Sequence, residues 1–287
     1  MDNKKKYLLG MYEKAMPIDL PWKDKLINCK EAGFDWVEFS VDETDEKIAR
    51  LYWSQEERDA LKQDLKDTGM QLYTMCFSAQ RKYSLGSLGK DKHDKAMDIM
   101  ERAIDFSADM GIKIVQLAGY DCYYEEANED TRNEFIKNLK IATQMAAKRG
   151  ILMGFETMMD RPFIDTVEKA MEYVNICNSP YLGVYPDIGN LEGAKHDFGY
   201  QKSVAEDLYT GKGHILACHL KETKAKTDRG VPWGTGFTNY DNIKVLKDLG
   251  VRMFNGEFWM DDPNNWKEDL KKSNKFLREK LDKVFDD

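Results

Sequence analysis

The stretch KRGILMGFET, residues 148–157, shows the pattern that decides the fold. Gly150 ends a helix-like segment, a short apolar run suited to a buried strand follows, and Glu156 closes that run with a carboxylate. The same pattern recurs along the chain: a helical segment stops at a glycine, and a strand-like run follows directly. These glycines are Gly33, Gly69, Gly111, Gly150 and Gly250. This recurrence indicates a regular alternation of strands and helices.

Eight strand–helix units fill the chain. Strand-like runs lie at 6–14, 34–42, 70–79, 112–121, 151–157, 181–190, 214–223 and 251–260. Helical patterns follow them at 19–33, 54–69, 91–111, 128–150, 165–178, 200–211, 239–250 and 264–285. Asp19 is a possible N-cap of the first helix, and Ser54 with Glu57 forms a capping-box pattern in the second.

Eight such units predict an α/β protein, a single-domain (β/α)₈ TIM barrel that spans residues 1–287. An open doubly wound sheet would also alternate strands and helices. It is the weaker interpretation, because no GxGxxG motif follows the first strand.

Composition and charge exclude several classes of partner. The formal net charge of −8 disfavours nucleic acid, because phosphate binding needs a basic face. No run approaches the ~20 apolar residues of a membrane span, and residues 1–17 are too polar for a signal peptide. The five cysteines form no C-x-x-C pair, so we expect free thiols and a soluble protein of the reducing cytoplasm.

The strand ends carry the candidate chemistry. In a TIM barrel the active site lies at the carboxyl ends of the strands. The seventh strand-like run ends in LACHLKET (216–223), where His219 follows apolar residues, and the neighbouring runs end in Glu156, Asp187 and Glu257. Four consecutive strands therefore each offer one side chain that can bind a metal, at a similar height in the barrel.

Each of these residues has an ordinary structural explanation when it is considered alone. A single glutamate is more often an ion-pair partner, Asp187 suits a turn in PDIGN, and His219 suits a satisfied core position. Together the three carboxylates would repel one another and raise each other's pKa unless a cation neutralised them. The combination with one imidazole predicts one divalent metal ion, Mn²⁺, Zn²⁺, Mg²⁺ or Co²⁺.

Six segments resemble the L-ribulose-5-phosphate 3-epimerase family, also called L-xylulose-5-phosphate 3-epimerases, of the xylose-isomerase-like TIM barrels. They are LGMYEKAMP (9–17), EFSVDETDE (38–46), QLAGYDCYYEEAN (116–128), YPDIGNL (185–191), HLKETK (219–224) and GEFW (256–259). The resemblance runs from the first strand to the eighth. It implies that Glu156, Asp187, His219 and Glu257 are the metal ligands. Departures are Gln80 in place of a usual histidine, Thr235 in place of a common acidic residue, and a longer run after Glu156.

The resemblance further implies inversion of C3 of a ketopentose 5-phosphate, with a small phosphorylated sugar as the partner. Glu156 and Glu257 would then be the catalytic acid–base pair. Lys221 shares the His219 side of its strand and is a candidate for substrate binding, with a structural ion pair to Glu222 or a strand-8 neighbour as the alternative. Asn190, Ser40, Ser78 and Arg81 are further substrate-binding candidates, with Lys14, Lys224 and the Gly234–Gly236 segment as other options for the phosphate. A homodimer is possible by analogy with the superfamily.

Three alternatives remain open on the sequence alone. An aldose–ketose or hexulose-phosphate isomerase would use the same barrel, metal and glutamates. A metal-dependent endonuclease would need more than four histidines and a basic surface. A non-catalytic sugar-binding barrel would have no reason to keep all four ligand types.

Overall fold

The computed structural model describes residues 5–227, 229–260 and 262–286. Eight parallel strands form one sheet in the order β6-β5-β4-β3-β2-β1-β8-β7. The strands are β1 Leu8–Tyr12, β2 Trp36–Val41, β3 Thr74–Phe77, β4 Ile114–Ala118, β5 Leu152–Glu156, β6 Leu182–Val184, β7 Cys218–Leu220 and β8 Met253–Gly256. Parallel bridges pair Val184 with Ile215 and Asp187 with His219, which joins the two end strands and closes the barrel. The predicted TIM barrel is confirmed.

Ten α-helices surround the barrel within these described ranges. They are α1 Trp22–Glu31, α2 Asp45–Ala49, α3 Gln55–Thr68, α4 Lys90–Met110, α5 Glu129–Arg149, α6 Val167–Cys177, α7 Ile188–Phe198, α8 Val204–Thr210, α9 Asn242–Asp248 and α10 Trp266–Phe285. No helix in the described part of the chain is long and apolar enough to cross a membrane. All five cysteines are free thiols, as expected.

Local signals for helix ends were right at one helix and wrong at another. The predicted capping box at Ser54 and Glu57 opens α3. Asp19 does not cap α1, which begins at Trp22 with Pro21 in the N-cap position. Proline is tolerated at the start of a helix but not in its interior. Helix α1 therefore begins directly after Pro21. The sequence also missed α7, which begins directly after Asp187 in a segment read as a turn.

Side chains of the strands divide between two apolar regions. Alternate residues point out of the barrel and pack against the helices in one large core, which includes Cys218 and Leu220 of β7. The barrel interior holds a small cluster in which Ile114, Tyr185 and Ala217 are buried. Cys218 therefore points toward the helices, because the two-residue strand period alternates it with Ala217 and His219.

A close approach inside the barrel depends on Gly10 in β1. Gly10 pairs with Trp36 of β2, and the Trp36 side chain is fully buried. A Cβ atom at position 10 would lie 2.3 Å from Cε2 of the indole. The absence of a side chain at Gly10 is therefore what allows the large ring to fill the barrel.

We predict that Gly10→Ala lowers the free energy of unfolding by about 1–3 kcal/mol, because overpacking forces the indole or the strand to shift. Urea denaturation followed by circular dichroism measures the change. Gly89→Ala is the matched control, since a Cβ atom there meets no atom within 4 Å. Equal stability of the two variants would show that the barrel accommodates the methyl group.

Candidate active site

Four side chains meet at the carboxyl ends of β5 to β8. Glu156 is the last residue of β5, Asp187 follows β6, His219 is the middle residue of β7 and Glu257 follows β8. One ligand atom from each of the four lies within 4.8 Å of the others, and all four residues are buried. The structure thus brings together the whole set that the sequence singled out.

Asp187 uses its two carboxylate oxygens for different purposes. Oδ1 accepts the backbone N–H of Asn190 at 2.9 Å and caps the N-terminus of α7. Oδ2 faces the cluster, 4.0 Å from Nδ1 of His219. The capping interpretation and the ligand interpretation of Asp187 are therefore compatible, because each needs only one oxygen.

The imidazole of His219 is oriented by a carboxylate deeper in the barrel. Its Nε2 lies 2.7 Å from Oε1 of Glu38, a fully buried residue of β2. Its Nδ1 points the other way, 3.3 Å from Oε2 of Glu257 and 3.6 Å from Oε1 of Glu156. Nδ1 is thus the nitrogen directed into the cluster.

The crowded charges shift the pKa values of the three carboxyl groups in different directions. Burial, followed by the charge of Glu257, raises the pKa of Glu156. Burial also raises the pKa of Asp187 well above its usual range, with Lys221 opposing. Burial alone would raise the pKa of Glu257 as well, but Lys221 and His219 hold it well below its usual range. The site therefore favours one ionised carboxylate beside two that resist ionisation.

These residues fit a divalent cation. Oδ2 of Asp187 and Oε2 of Glu257 are buried and accept no well-angled hydrogen bond from the described residues. Three carboxylates and an imidazole form a hard, anionic donor set, which suits Mg²⁺, Mn²⁺, Co²⁺ or Zn²⁺. A dication at their centre would allow all three carboxylates to ionise together.

Lys221 points into the same site. Its Nζ lies 3.2 Å from Oδ2 of Asp187 and 3.1 Å from Oε2 of Glu257, and the side chain is 5% exposed. The alternative of an ion pair with a strand-8 neighbour is confirmed by the contact with Glu257, whereas Glu222 accepts the N–H groups of Gly234 and Thr238. Lys221 therefore lies where a substrate oxygen would meet the carboxylates.

A narrow cleft of about 30 Å³ opens above the cluster. Glu156, Glu257 and Lys221 form its floor. Its remaining lining residues are Tyr12, Lys14, Cys76, Ser78, Arg81, Met158, Arg229 and Trp259. Acidic and basic side chains therefore share one small space.

Two of the substrate-binding candidates lie outside this lining. Ser40 is buried beneath Tyr12, with its Oγ 3.0 Å from the tyrosine hydroxyl. Asn190 donates its Nδ2 to the carbonyl oxygen of Thr157 at 2.8 Å, in the first turn of α7. Both are one step removed from the cleft. Ser78 and Arg81 line it directly.

The other candidates for phosphate binding also differ in whether they line the cleft. Lys14 lines the cleft and forms an ion pair with Asp42 at 2.5 Å. Lys224 is exposed and pairs in a bridge with Thr227. The Gly234–Gly236 segment does approach an anion, but that anion is the side chain of Glu222, 2.6 Å from the N–H of Gly234.

Sequence reasoning missed the polar groups inside the barrel. Glu38 was overlooked although its neighbours Val37 and Phe39 are apolar and pack outside, which turns Glu38 inward. Gln116, whose Nε2 lies 3.2 Å from Nδ1 of His219, could have been found by the same alternation. Arg229 could not, since it belongs to a loop with no periodic signal.

Comparison with known proteins agrees with this geometry. The family model described as xylose isomerase-like TIM barrel matches residues 26–280. L-ribulose-5-phosphate 3-epimerase UlaE of Escherichia coli (strain ATCC 8739) is 42% identical over 243 residues, which cover 84% of this chain and 83% of the relative. The same enzyme of Shigella boydii has the same identity and coverage.

Solved structures of low sequence identity share the fold. D-psicose 3-epimerase, crystallised in the presence of D-fructose, has a TM-score of 0.78 at 16% identity and covers 96% of this chain and 99% of its own. L-ribulose 3-epimerase has a TM-score of 0.75 at 17% identity, with 96% and 95% coverage. The chain thus belongs to the L-ribulose-5-phosphate 3-epimerase family within the xylose isomerase-like TIM barrels and is an isomerase of the carbohydrate-epimerase type.

Proposed function

We propose that the protein is a metal-dependent epimerase that inverts C3 of a ketopentose 5-phosphate and so interconverts L-ribulose 5-phosphate and L-xylulose 5-phosphate. One observation carries this proposal. Glu156 and Glu257 line the same cleft from β5 and β8, so two carboxyl groups flank the space that a substrate would enter. Inversion needs an acid and a base at one carbon, and two carboxyl groups in one site can divide these roles. The name of the 42% identical relative supports the choice of sugar.

The reaction needs two groups that act on opposite faces of one carbon. The C3 proton lies next to the C2 carbonyl, so its removal gives an enediolate. Protonation of C3 from the other face completes the inversion. Glu257 is the proposed base for one epimer, while Glu156 supplies the proton. The roles exchange for the other epimer.

Glu156, Asp187, His219 and Glu257 would hold the divalent ion. When bound, such an ion supplies Lewis-acid stabilisation of the negative charge that develops on the sugar oxygens. The buried site also excludes water, which strengthens every electrostatic contact made there. The cytoplasmic location and the homodimer stay predictions from the sequence.

Lys221 is proposed to contact a substrate oxygen. Its ammonium lies between Asp187 and Glu257 and 5.6 Å from the ring centroid of Trp259, so substrate that enters the cleft meets it. A cation at this point favours negative charge on the sugar as the proton leaves.

Ser78, Arg81 and Lys14 are proposed to receive the 5-phosphate. They line the cleft, and Arg81 lies over the rings of Tyr120 and Tyr123 at 5.7 and 5.5 Å. Those tyrosines donate their hydroxyls to Asp160, which fixes the platform under the guanidinium. An arginine held in this way is prepared for bidentate binding of a phosphate.

The first test follows C3 by NMR with L-ribulose 5-phosphate in D₂O and the metal-loaded protein. We expect deuterium at C3 together with L-xylulose 5-phosphate. Glu257→Gln and Glu156→Gln should each lower inversion by about 10²–10⁴-fold, because one face loses its acid or base. One glutamate remains in each variant. It should still exchange the C3 proton for deuterium, without inversion, in the epimer whose C3 proton faces it.

Other outcomes separate the alternatives. Deuterium at C1 or C2 with an aldose appearing would identify an aldose–ketose isomerase. Absence of exchange at every carbon with each of the four divalent metals would refute the proposed reaction.

A second prediction concerns Lys221. Lys221→Met keeps the length of the side chain but removes its charge, and should lower kcat/KM by about 10²-fold. Affinity for Mn²⁺ should be unchanged or higher, because an ammonium beside the carboxylates repels the ion. Lys224→Met, at an exposed lysine three positions on, is the matched control and should have no effect. Loss of Mn²⁺ binding in Lys221→Met would instead indicate a structural role.

A third prediction concerns the phosphate end of the cleft. Arg81→Gln should raise KM for L-ribulose 5-phosphate about 10-fold or more, since a charge-assisted hydrogen bond is lost. It should leave turnover of unphosphorylated L-ribulose unchanged. Lys82→Gln, next in the chain and paired with the exposed Asp45, is the control. Equal losses of activity with L-ribulose 5-phosphate and with L-ribulose would show that Arg81 does not bind the phosphate.

A further inference from the structure

Glu38 is the centre of a polar network inside the barrel. It lies in β2, below the cluster of ligands, and is fully buried. Oε1 accepts from Nε2 of His219 at 2.7 Å and from Nδ2 of Asn255 at 2.9 Å. Oε2 accepts from the hydroxyl of Thr74 and from that of Tyr185, the latter at 3.2 Å. Four donors thus converge on one carboxylate, three from β3, β7 and β8 and one, Tyr185, from the residue directly after β6.

This arrangement distinguishes the two nitrogens of His219. Oε1 of Glu38 already accepts a hydrogen bond from Nδ2 of Asn255, so it acts as an acceptor, and Nε2 of His219 supplies the proton in its bond to this oxygen. Nδ1 then has its lone pair available on the side of Glu156 and Glu257. Gln116 favours neither tautomer, because its Nε2 lies 3.2 and 3.3 Å from the two ring nitrogens.

Neighbouring side chains also fix the orientation of the His219 imidazole. Tyr185, whose hydroxyl bonds to Glu38, packs edge-on against the imidazole with ring centroids 5.0 Å apart. Asn255 is the strand partner of His219 in the parallel register and shares the same oxygen of Glu38. Rotation of the imidazole would break the bond to Glu38 and the edge-on contact with Tyr185.

We infer that Glu38 is a positioning residue for the divalent ion: it holds His219 as the Nε2–H tautomer, so that Nδ1 faces the position enclosed by Glu156, Asp187 and Glu257. This inference rests on the metal dependence in the proposed function. It does not depend on which sugar the enzyme uses. Partners of this kind typically change metal affinity or activity by 10–100-fold when they are replaced.

The test compares Glu38→Gln with Thr74→Val. Glu38→Gln keeps the shape of the side chain but removes its charge and one of its acceptors, and should weaken Mn²⁺ binding by about 10–100-fold in chelator competition. Thr74→Val is nearly isosteric and removes only a donor to Oε2, so the contact to His219 survives. Its Mn²⁺ affinity should change by less than about threefold. Equal Mn²⁺ affinity in wild type and Glu38→Gln would overturn the assignment.

A measurement on the wild type avoids any dependence on folding of the variant. The protein is labelled with ¹⁵N-histidine and loaded with Zn²⁺, and His219 is identified by the signal lost in His219→Asn. The long-range ¹H–¹⁵N spectrum should show a proton on Nε2 and none on Nδ1. A proton on Nδ1 with a bare Nε2 would refute the role of Glu38.

The same experiments separate this inference from the proposed reaction. Tight Mn²⁺ binding with the Nε2–H tautomer, but without C3 exchange, would support the role of Glu38 and refute the epimerase. Failure of the wild type to bind any of the four divalent metals would overturn both.

Discussion

Mutual repulsion of Glu156, Asp187 and Glu257 is the constraint around which the rest of this barrel is organised. Three buried carboxylates whose ligand atoms lie within 4.8 Å of one another cannot all ionise without compensating positive charge. Lys221 supplies one such charge from the cleft side, with Nζ 3.1 Å from Glu257. His219 approaches from the barrel side and is itself held by Glu38. The apolar shell of outward side chains makes the problem acute, because it removes the water that would screen the charges.

The alternation of side chains along the strands explains why the sequence revealed so much of this site. A polar residue at or near the carboxyl end of an apolar strand is conspicuous, and all four proposed ligands lie in that region of their strands. To predict that these side chains converge, it was enough to know that the carboxyl ends of all parallel strands in a barrel lie at the same rim. Lys221 followed from the same rule, since two residues along a strand return to the same side.

The remaining features were hidden for physical reasons. Ser40 and Asn190 have suitable chemistry and suitable positions in the chain, but each side chain bonds to a near neighbour, Tyr12 and Thr157 respectively. Whether such a side chain bonds to a neighbour or faces the cleft depends on a few tenths of an ångström. The sequence shows no periodic pattern that reveals which of the two occurs. Helix α7 was missed because its first residues, IGN, are poor helix formers; the cap at Asp187 and burial of Ile188 and Leu191 compensate.

Fold alone does not distinguish an epimerase from an isomerase on this barrel. Both need a metal, a base and an enediolate, and the sugars differ only in which carbon faces the glutamates. In the proposed reaction, the discriminating element is the distance from the metal site to the end of the cleft where the phosphate would bind. Arg81 and its platform of Tyr120 and Tyr123 would set that distance, because the tyrosines are anchored to Asp160.

The dual use of Asp187 has a consequence for how this family can change over evolutionary time. One oxygen of its carboxylate caps α7, a contact of a kind worth about 1 kcal/mol. Exchange of Asp187 for glutamate or histidine would alter the donor set and release the helix cap at once. Among the other three proposed ligands, Glu156 and Glu257 are also the proposed acid and base, whereas His219 has neither that role nor a helix cap. A lineage under selection for a different metal should therefore vary His219 more readily than Asp187.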